Sequence, residues 1–369
     1  MNSYHAPLSV VVMAAGEGTR MKSQRPKPLL KLCGKSMLEH ILSALEEIVL
    51  IDRVVVVVGH KEEEIRTELL ARYKGNLELV FVKQESLRGT GDALAVSMTR
   101  ITDPMTDLGG RRGAVMVLPA DVPLIDARTL SSLVETHFSS NYAATLLTAL
   151  VENPYGYGRV LRSKNGDVVS VVEERDASWE ERQIREINTS LYVFDTAPLP
   201  AALRRLIPSN AQGELYLTDT VSVLANAGYA IGSLQIDDSS LVMGVNDRAQ
   251  LAEAEKVMRK RINTYWMKAG VTLVDPDVTY IDRRTTLGED VTIWPGVTLE
   301  GATTVGTGTD IGPGCRLVDC VVGEKVRLSY CEANNAYIGD GAKVGPFVNL
   351  PPGTKIAPYQ EVRSTRNME

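Results

Sequence analysis

A hexapeptide periodicity in the C-terminal part of this chain constrains its fold more than any other feature. After Val271, apolar residues recur at every sixth position, and several are followed directly by glycine. A six-residue unit of this kind turns a corner with one apolar side chain pointing inward, and successive units wind into a parallel β-helix that shares one core. The first frame contains Leu287, Ile293, Leu299, Val305, Ile311 and Leu317, and the second contains Ile338, Val344, Leu350 and Ile356.

The two hexapeptide frames are out of register with each other, and a different pattern precedes them. We expect the coil to be interrupted at residues 327–336, where the six-residue spacing fails. Upstream, the segment NDRAQLAEAEKVMRKRINTYWMK has the composition and spacing of a single long helix. The patterns therefore predict a first domain over residues 1–245, a linker helix over 246–269 and a β-helix over 270–369.

Another period governs the chain from Ser9 to about Leu241. Short β-branched runs such as RVVVVVG alternate with helical stretches such as EEEIRTELLARY. Continuous apolar strands of this kind are typical of a mostly parallel sheet that is covered by helices on both faces. The pattern therefore predicts an α/β fold, and in such open sheets ligands bind beyond the carboxyl ends of the strands.

Bulk composition argues against several classes of function. The formal net charge of −6 is unlike that of a general nucleic-acid binder, which needs a basic surplus to neutralise phosphates. No run approaches the roughly 20 apolar residues of a membrane-spanning helix and no signal peptide is recognisable, so we expect a cytoplasmic protein. The cysteines lack CxxC spacing, and we expect buried free thiols at Cys33, Cys315, Cys320 and Cys331.

The stretch AAGEGTR forms a glycine-rich turn between an apolar strand and a helix. Gly16 and Gly18 leave the backbone bare, so that N–H groups can approach a phosphate. Thr19 can donate from its hydroxyl, Arg20 can hold two phosphate oxygens as a fork, and Lys27 adds a point charge. A plain structural turn and a solvated basic face are the alternatives. The combination favours a local phosphate site.

The stretch LPADVPL places Asp121 at the tip of an apolar strand. Mg²⁺ takes few protein ligands and keeps waters and substrate phosphates, so one strand-end carboxylate is chemically sufficient as an anchor. Asp121 could equally cap the following helix. Both roles stay open on this motif alone.

The chain resembles the nucleotide-sugar pyrophosphorylase family through the ordered motifs MAAGEGTRM, RPKPLL, GTGDA, LPADVPL, YGYGRV, EINTSLYVFD, GELYLTD and GVNDRAQL. The likeness is strongest to one half of a group of bacterial bifunctional enzymes. These enzymes combine an N-acetylglucosamine-1-phosphate uridylyltransferase with an acetyltransferase, and the likeness is to the uridylyltransferase half. It implies a Rossmann-like nucleotidyltransferase domain with a mixed, mostly parallel sheet, followed by a short left-handed parallel β-helix. It also implies a Mg²⁺-dependent reaction of UTP with N-acetylglucosamine-1-phosphate that gives UDP-N-acetylglucosamine and pyrophosphate.

The resemblance implies a set of site residues. Arg20 and Lys27 would hold the triphosphate as catalytic cations, and Asp121 and Asn246 would bind Mg²⁺. In-line displacement at the α-phosphate requires no covalent nucleophile, so positioning and charge neutralisation are the main tasks. The implied substrate contacts are Ala14, Ala15, Gly16, Gly18 and Thr19 for the nucleotide, Gln84, Gly89 and Thr90 for the base, and Gly158, Glu173, Asn188, Tyr216 and Thr218 for the sugar phosphate and its N-acetyl group. For Asn188 and Tyr216, ordinary hydrogen bonding within a sheet is the alternative.

Two departures from the family pattern bear on specificity. Leu87, followed by Arg88, stands where close relatives have a second glutamine, and Pro119 and Ala120 stand in the strand-end LxGD motif. A pyrophosphorylase for another nucleotide or sugar, such as dTTP or glucose-1-phosphate, is therefore an alternative. A noncatalytic nucleotide-sugar-binding regulatory subunit is the alternative from a different class.

The β-helix departs further from the bifunctional relatives. The stretch GPFVNLPPG has Asn349 and Pro351 where those relatives carry arginines, and the sequence ends at Glu369. Acetyl transfer to an amino sugar needs a general base, normally a histidine. We therefore expect one activity, with the β-helix packing side by side into a homotrimer. All four histidines precede the β-helix: His5, His40, His60 and His137.

Overall fold

The computed structural model describes residues 8–48, 51–59, 61–101 and 113–364. His5 and His60, which enter the histidine argument, lie outside the described residues. The chain separates into two compact units, the first made of residues 1–30 and 37–248 and the second of residues 31–36 and 249–369. The functional boundaries expected at residues 245 and 269 stay predictions.

A mixed sheet of nine strands forms the centre of the first unit. The first eleven strands of the chain are β1 (Leu8–Ala14), β2 (Lys31–Leu32), β3 (Lys35–Ser36), β4 (Ile51–Val58), β5 (Leu79–Lys83), β6 (Ala114–Pro119), β7 (Ala144–Leu150), β8 (Gly158–Arg162), β9 (Val168–Val172), β10 (Glu186–Asp195) and β11 (Ile231–Ile236). The sheet runs in the order β11-β7-β10-β6-β1-β4-β5, with β8 paired to β10 and β9 paired to β8, while β2 and β3 pair with each other. Along the main path β10 is antiparallel to both of its neighbours and all other pairs are parallel.

Helices cover both faces of this sheet. Val10 and Val12 of β1 pack into one core and Val11 packs into the core on the opposite face, and all three side chains are fully buried. The helices of the described part of this unit are α1 (Met37–Leu45), α2 (Glu62–Arg72), α3 (Thr90–Ser97), α4 (Ala127–Ser139), α5 (Trp179–Arg182), α6 (Leu199–Leu203) and α7 (Asp219–Asn226). Residues of α1, α2 and α4 belong to the first core, and residues of α3, α6 and α7 belong to the second. The expected α/β fold with a mixed, mostly parallel sheet is confirmed.

Strand β1 lies where the chain changes direction across the sheet. β4 pairs with β1 on one side and β6 pairs with it on the other, both in parallel. The carboxyl ends of these strands therefore meet at one edge, where Ala14, Val58 and Lys83 are in register. In open α/β sheets, such a switch point is where ligands bind.

Asp126, rather than Asp121, caps the helix that follows β6. The Asp126 side chain accepts a hydrogen bond of 2.8 Å from the backbone N–H of Thr129 at the start of α4. This contact satisfies one of the N–H groups that have no partner inside the first helical turn. The helix-cap alternative for Asp121 is therefore wrong.

Stacked parallel strands form the body of the second unit. They are β12 (Thr272–Leu273), β13 (Tyr280–Ile281), β14 (Thr286–Leu287), β15 (Thr292–Ile293), β16 (Thr298–Glu300), β17 (Thr304–Val305), β18 (Asp310–Ile311), β19 (Arg316–Val318), β20 (Val321–Val322), β21 (Arg327–Leu328), β22 (Cys331–Asn334), β23 (Tyr337–Ile338), β24 (Lys343–Val344), β25 (Val348–Leu350), β26 (Lys355–Ile356) and β27 (Glu361–Val362). Every third strand pairs with the next, which gives three sheets that start at β12, β13 and β14. This is the parallel β-helix that the repeats predict, in the left-handed form that the family resemblance implies.

The coil is continuous through residues 327–336, so the expected interruption is wrong. Strand β22 pairs in parallel with β19 on one side and with β25 on the other. The inward side chains of Leu317, Val322, Leu328 and Ala333 are buried, and their spacings along the chain are five, six and five residues. Shortened corners therefore shift the hexapeptide frame without breaking the strand ladders.

A helix of 21 residues, α8 (Arg248–Lys268), precedes the first coil. The buried Asn263 amide donates hydrogen bonds to the carbonyl oxygens of Pro276 at 2.7 Å and Thr279 at 3.0 Å. The Arg259 guanidinium lies 4.6 Å from the centroid of the Tyr280 ring, within the range of a cation–π contact. These contacts attach the helix to the start of the β-helix. Within the described parts of the chain, no helix is both long enough and apolar enough to cross a membrane.

The four cysteines are free and buried, as their spacing predicts. Burial raises the pKa of the Cys33 thiol, and the negative charge of Glu255 raises it further. The Sγ atom of Cys33 lies 3.3 Å from the Oε1 atom of Glu255. A thiol in such a setting is held in its neutral form, which is the unreactive one.

Candidate functional site

A small cavity opens at the carboxyl ends of β1 and β6. The Ala120 N–H donates to the Met13 carbonyl oxygen at 3.0 Å, which extends the pairing of the two strands to the residue before Asp121. The cavity has a volume of about 70 Å³ and is lined by Met13, Ala14, Gly16, Lys27, Pro28, Pro119, Ala120 and Asp121. Several of the expected site residues therefore face one space, and the two residues that depart from the family's strand-end motif form part of its wall.

Two cations and two oxygen-bearing side chains meet at this cavity. The Lys27 ammonium lies 2.5 Å from Asp121 Oδ2 and 2.8 Å from Asn246 Oδ1. The Arg20 guanidinium donates to the same Asn246 oxygen at 3.0 Å. A backbone hydrogen bond of 2.8 Å from Val245 N–H to the Asp121 carbonyl oxygen holds the Asn246 segment beside the end of β6. The four residues expected to bind triphosphate and metal thus lie together.

The glycine-rich loop presents its backbone to solvent beside this cluster. Residues 16–20 are exposed or half-buried, and the next residue, Met21, is 1% exposed and anchors the loop in the core. Gly18 has a φ of 63°, and a Cβ atom there would lie 2.8 Å from Cβ of Lys27. The missing side chain of Gly18 therefore lets Lys27 pack against the loop. Thr19 and Arg20 lie in the short 3-10 helix Thr19–Met21.

Other cations of the same stretch have different roles. The Arg25 side chain forms an ion pair with Glu68 and donates from Nε to the Leu29 carbonyl oxygen at 2.9 Å. Lys31 belongs to the second unit. Arg25 is therefore ion-paired, and the Lys27 side chain is 13% exposed and paired with Asp121, which argues against the solvated-face alternative for Lys27.

The donor set of Asp121 and Asn246 fits Mg²⁺. Both side chains offer an oxygen atom to the same Lys27 ammonium, so a cation at this point is within reach of a carboxylate and an amide oxygen. Mg²⁺ is usually held by one or two protein oxygens and completes its shell with water and substrate phosphates. Among the described residues, no cluster of three or more histidine, cysteine, aspartate or glutamate side chains is arranged to hold a metal ion by itself.

Gln84, Gly89 and Thr90 form a second group at the end of β5. The Gln84 amide nitrogen donates to the Gly89 carbonyl oxygen at 3.1 Å and to Asp92 Oδ2 at 2.8 Å. The Thr90 hydroxyl accepts a hydrogen bond of 3.0 Å from the backbone N–H of Leu217. The described hydrogen bonds thus tie this group to the segment that carries Tyr216 and Thr218.

Gly158, Glu173 and Asn188 converge on adjacent strands. Gly158 at the start of β8 is in register with Asn188 of β10. A Cβ atom at Gly158 would lie 3.0 Å from Cγ1 of Val171, 3.4 Å from Oε2 of Glu173 and 3.5 Å from Cβ of Asn188. The Asn188 amide also donates to the Tyr192 hydroxyl at 2.7 Å, so it takes part in hydrogen bonding within the sheet, as the alternative reading expected.

Burial and acidic neighbours shape the electrostatics of this third group. Burial raises the pKa of Glu173, and the negative charges of Asp176 and Asp219 raise it further. A hydrogen bond from the Thr218 hydroxyl and the positive charge of Arg159 lower it, but the net shift is upward. Burial also raises the pKa of Tyr216 to about 12. The hydroxyl of Tyr216 is buried and has no hydrogen-bond partner within the described residues, whereas the buried Thr218 hydroxyl faces Glu173. A buried hydroxyl without a partner is available to a ligand with a matching donor or acceptor.

Two ion-paired side chains near the candidate site were not predicted from the sequence. The first is Asp92, which binds both Gln84 and Arg88, the latter at 2.6 Å. The second is Arg159, whose side chain is 2% exposed and pairs with Glu174 at 2.7 Å. Asp92 lies in the first turn of α3, and Arg88 lies four residues before it. This spacing would have predicted the first pair. No comparable local spacing connects Arg159 with Glu174.

Comparison with known proteins identifies the family. The MobA-like NTP transferase domain matches residues 10–182, and the bacterial transferase hexapeptide (six repeats) matches residues 284–318. The bifunctional protein GlmU of Thermoanaerobacter pseudethanolicus is 42% identical over 349 residues, which is 95% of this chain and 73% of the relative. Those of Mycolicibacterium vanbaalenii and Mycobacterium tuberculosis are 42% and 40% identical, over 94% and 97% of this chain and 70% and 72% of the relatives. With this identity along almost its whole length, the chain belongs to the GlmU family and has that family's nucleotidyltransferase domain followed by a hexapeptide-repeat region.

Proposed function

We propose that this protein transfers the uridylyl group of UTP to N-acetylglucosamine-1-phosphate and releases pyrophosphate and UDP-N-acetylglucosamine. The observation that carries this proposal is the meeting of Arg20, Lys27, Asp121 and Asn246 at the carboxyl end of β1. Two cations and two oxygen ligands are the set that a nucleoside triphosphate with its Mg²⁺ requires. The relatives named bifunctional GlmU proteins belong to the same family.

Arg20 and Lys27 act on the triphosphate. Their charges stabilise the negative charge that builds up on the leaving β- and γ-phosphates. The hydrogen bonds to Asp121 and Asn246 keep the Lys27 ammonium beside the place where the phosphates arrive. The exposed backbone of the glycine-rich loop adds N–H donors for the phosphate oxygens.

Asp121 and Asn246 would hold Mg²⁺ through their side-chain oxygens. When bound, Mg²⁺ neutralises and orients phosphate oxygens. Arg20 and Lys27 would then contact the phosphate oxygens directly. The protein's task is to place the two anionic substrates in line rather than to supply a nucleophile.

The sugar phosphate binds at Gly158, Glu173 and Asn188 in this proposal. One of its phosphate oxygens forms the new bond to the α-phosphorus of UTP, while the bond between that phosphorus and pyrophosphate breaks. The absence of a side chain at Gly158 leaves room beside the Glu173 carboxylate. The buried hydroxyls of Tyr216 and Thr218 provide polar groups for the N-acetyl and ring substituents.

Leu87 supports a second candidate with another nucleotide or sugar. Its side chain is 43% exposed, and the next residue, Arg88, pairs with Asp92. An apolar group therefore stands where close relatives offer a second amide for the base. The second candidate is a pyrophosphorylase for dTTP or glucose-1-phosphate. A noncatalytic binding subunit is disfavoured by the retention of both cations and both metal ligands.

Our proposal for this chain does not include acetyl transfer. Residues 270–369 contain no histidine to act as the general base. Asn349 and Pro351 replace the arginines of the corresponding stretch of the bifunctional relatives. The β-helix instead serves assembly.

We also propose that the β-helix assembles the protein into a homotrimer. Val321 and Tyr337 are paired across β20 and β23 and are 47% and 49% exposed. Neighbouring apolar groups on a flat sheet face are suited to burial against another copy. Analytical ultracentrifugation at micromolar concentration tests this assembly, and a stable monomer would contradict it.

Pyrophosphate release by the purified protein with Mg²⁺ tests the activity. UTP and dTTP are each offered with N-acetylglucosamine-1-phosphate, glucose-1-phosphate and glucosamine-1-phosphate, with acetyl-CoA in one arm. Release confined to UTP with N-acetylglucosamine-1-phosphate is the expected result. A preference for dTTP or glucose-1-phosphate would favour the second candidate, and no release from any pair would favour the noncatalytic subunit. Turnover of glucosamine-1-phosphate that depends on acetyl-CoA would contradict the loss of acetyl transfer.

A further inference from the structure

Gln84 is the first residue after β5, at the sheet edge that carries the glycine-rich loop. Its backbone N–H donates to the Val58 carbonyl oxygen at 2.9 Å. This bond continues the row in which Ala14, Val58 and Lys83 are in register. Gln84 is only 4% exposed, so protein groups rather than solvent determine the orientation of its side chain.

The hydrogen bonds of Gln84 settle which way its amide faces. The amide nitrogen donates to Asp92 Oδ2 at 2.8 Å and to the Gly89 carbonyl oxygen at 3.1 Å. Both partners are acceptors only, and an amide nitrogen has two hydrogens to give. A turn of the amide by half a rotation would set Oε1 against two oxygen atoms and lose both bonds. The two bonds therefore engage the amide nitrogen and leave Oε1, an acceptor, outside them.

Both partners of the amide are themselves held in place. Asp92 is 5% exposed and lies in the first turn of α3, where the helix dipole favours a carboxylate. Its Oδ1 atom accepts a hydrogen bond of 2.6 Å from Arg88, which leaves Oδ2 for Gln84. Gly89 has a φ of 110°, and a Cβ atom there would lie 2.5 Å from the Leu215 carbonyl oxygen. The backbone at Gly89 is therefore fixed by close packing.

We infer that Asp92 is a positioning residue for base recognition, which holds Gln84 so that its Oε1 accepts a hydrogen bond from a ring N–H of the nucleobase. This inference rests on the proposed nucleotidyl transfer and deepens it. Uracil and thymine carry a hydrogen on N3, whereas N3 of cytosine is an acceptor in the same position. UTP and CTP therefore differ in hydrogen bonding at N3, the ring atom that the Gln84 amide would contact, although the two bases have nearly the same shape.

The substitution Asp92→Asn tests the inference. An asparagine amide can donate to Gln84 Oε1, so that only the Gly89 carbonyl oxygen still opposes a turn of the Gln84 amide that would offer its nitrogen to the base. The readout is the ratio of kcat/KM for UTP to kcat/KM for CTP with the same sugar phosphate. We expect a preference for UTP of about 100-fold or more in the parent protein, since a mismatched base leaves buried polar groups unpaired. The ratio should fall by about tenfold or more in Asp92→Asn, which corresponds to the loss of one discriminating hydrogen bond.

Arg88→Ala is the matched control, because it removes the ion pair but leaves Asp92 Oδ2 and Gln84 in contact. Its ratio of UTP to CTP should remain that of the parent protein. A purely structural role of Asp92 would lower kcat/KM equally for both nucleotides and would overturn the inference. Equal preference for UTP and CTP in the parent protein would also overturn it.

A binding measurement keeps the inference testable when Asp92→Asn does not fold. Calorimetric titration of the parent protein with UDP and CDP should give at least about tenfold tighter binding of UDP. Equal affinities would refute the role of Asp92. Turnover with an unchanged ratio in Asp92→Asn refutes this inference alone. A parent protein that neither binds nor turns over any nucleotide refutes the proposed function and this inference together.

Discussion

Replacing Lys27 by alanine separates its proposed catalytic role from its structural one. The Lys27 side chain is 13% exposed, and its ammonium lies 2.5 Å from an Asp121 carboxylate that is 26% exposed. After truncation, water can reach the carboxylate, and Asn246 keeps its hydrogen bond of 3.0 Å from Arg20. A partly exposed ion pair contributes about 1 kcal/mol or less to stability. For a unit of this size the expected fall in Tm is about 2–4 °C.

The catalytic cost of the same change should be larger. Removing one preorganised group that stabilises transition-state charge lowers kcat by about 10²–10³, which is about 3–4 kcal/mol. Pyrophosphate release at saturating substrate and thermal unfolding should therefore be measured on the same preparations. Lys22→Ala is the control, since Lys22 is an exposed cation of the same stretch and should change stability by no more than about 0.5 kcal/mol. Unchanged turnover with a lower Tm in Lys27→Ala would refute the assigned role.

The buried pair of Arg159 and Glu174 and the space at Gly158 give further expectations. Glu174→Ala leaves a guanidinium that is 2% exposed without its carboxylate, and should cost about 3–5 kcal/mol in urea unfolding. Arg159→Met should cost less, because Glu174 is partly exposed and still has Arg182 at 3.8 Å; equal costs would contradict this asymmetry. Although desolvation opposes it, hydrogen bonds from Arg159 and Gly156 lower the pKa of Glu174 below its usual 4.5. The resulting stabilisation is present above pH 4.5 and is lost as the pH falls through the folded-state pKa, so Glu174→Gln should flatten the acid side of the stability profile. Gly158→Ala should raise KM for the sugar phosphate by about tenfold, from about 1–3 kcal/mol of overpacking, and leave KM for UTP unchanged; a parallel rise in both would argue against a sugar site there.

Local patterns were sufficient to predict most of the fold. The run around Val55 is buried on both faces, and its continuous apolar character required a covered parallel sheet. The hexapeptide repeats specified the β-helix because each unit places its own inward residue. The same reasoning failed between Leu317 and Ala333, where corners of unequal length shift the frame. Corner length leaves no mark in the apolar pattern when small residues such as Ala333 also point inward.

The candidate site was predictable only from the order of its motifs. Lys27 is 94 residues from Asp121 and 219 residues from Asn246, so no local periodicity connects them. A backbone hydrogen bond from Val245 to Asp121 holds the last segment at the end of β6. Ion pairs such as Arg159 with Glu174 were missed for the same reason, since a chain with many arginines and glutamates does not reveal which of them meet.

The contacts around the two glycines of AAGEGTR indicate different reasons for a glycine at each position. Gly18 has a φ of 63° and lies against Lys27, so the packing of the protein itself requires a glycine there. Gly18 therefore fits a plain structural turn and by itself says nothing about a ligand. Around Gly16, by contrast, no atom of the described residues other than its two chain neighbours lies within 4 Å of where a Cβ would be. Packing among the described residues gives no reason for a glycine at this position, and the bare backbone there is open to a ligand. The support for a phosphate site thus rests on Gly16 and on the cations that converge beside it.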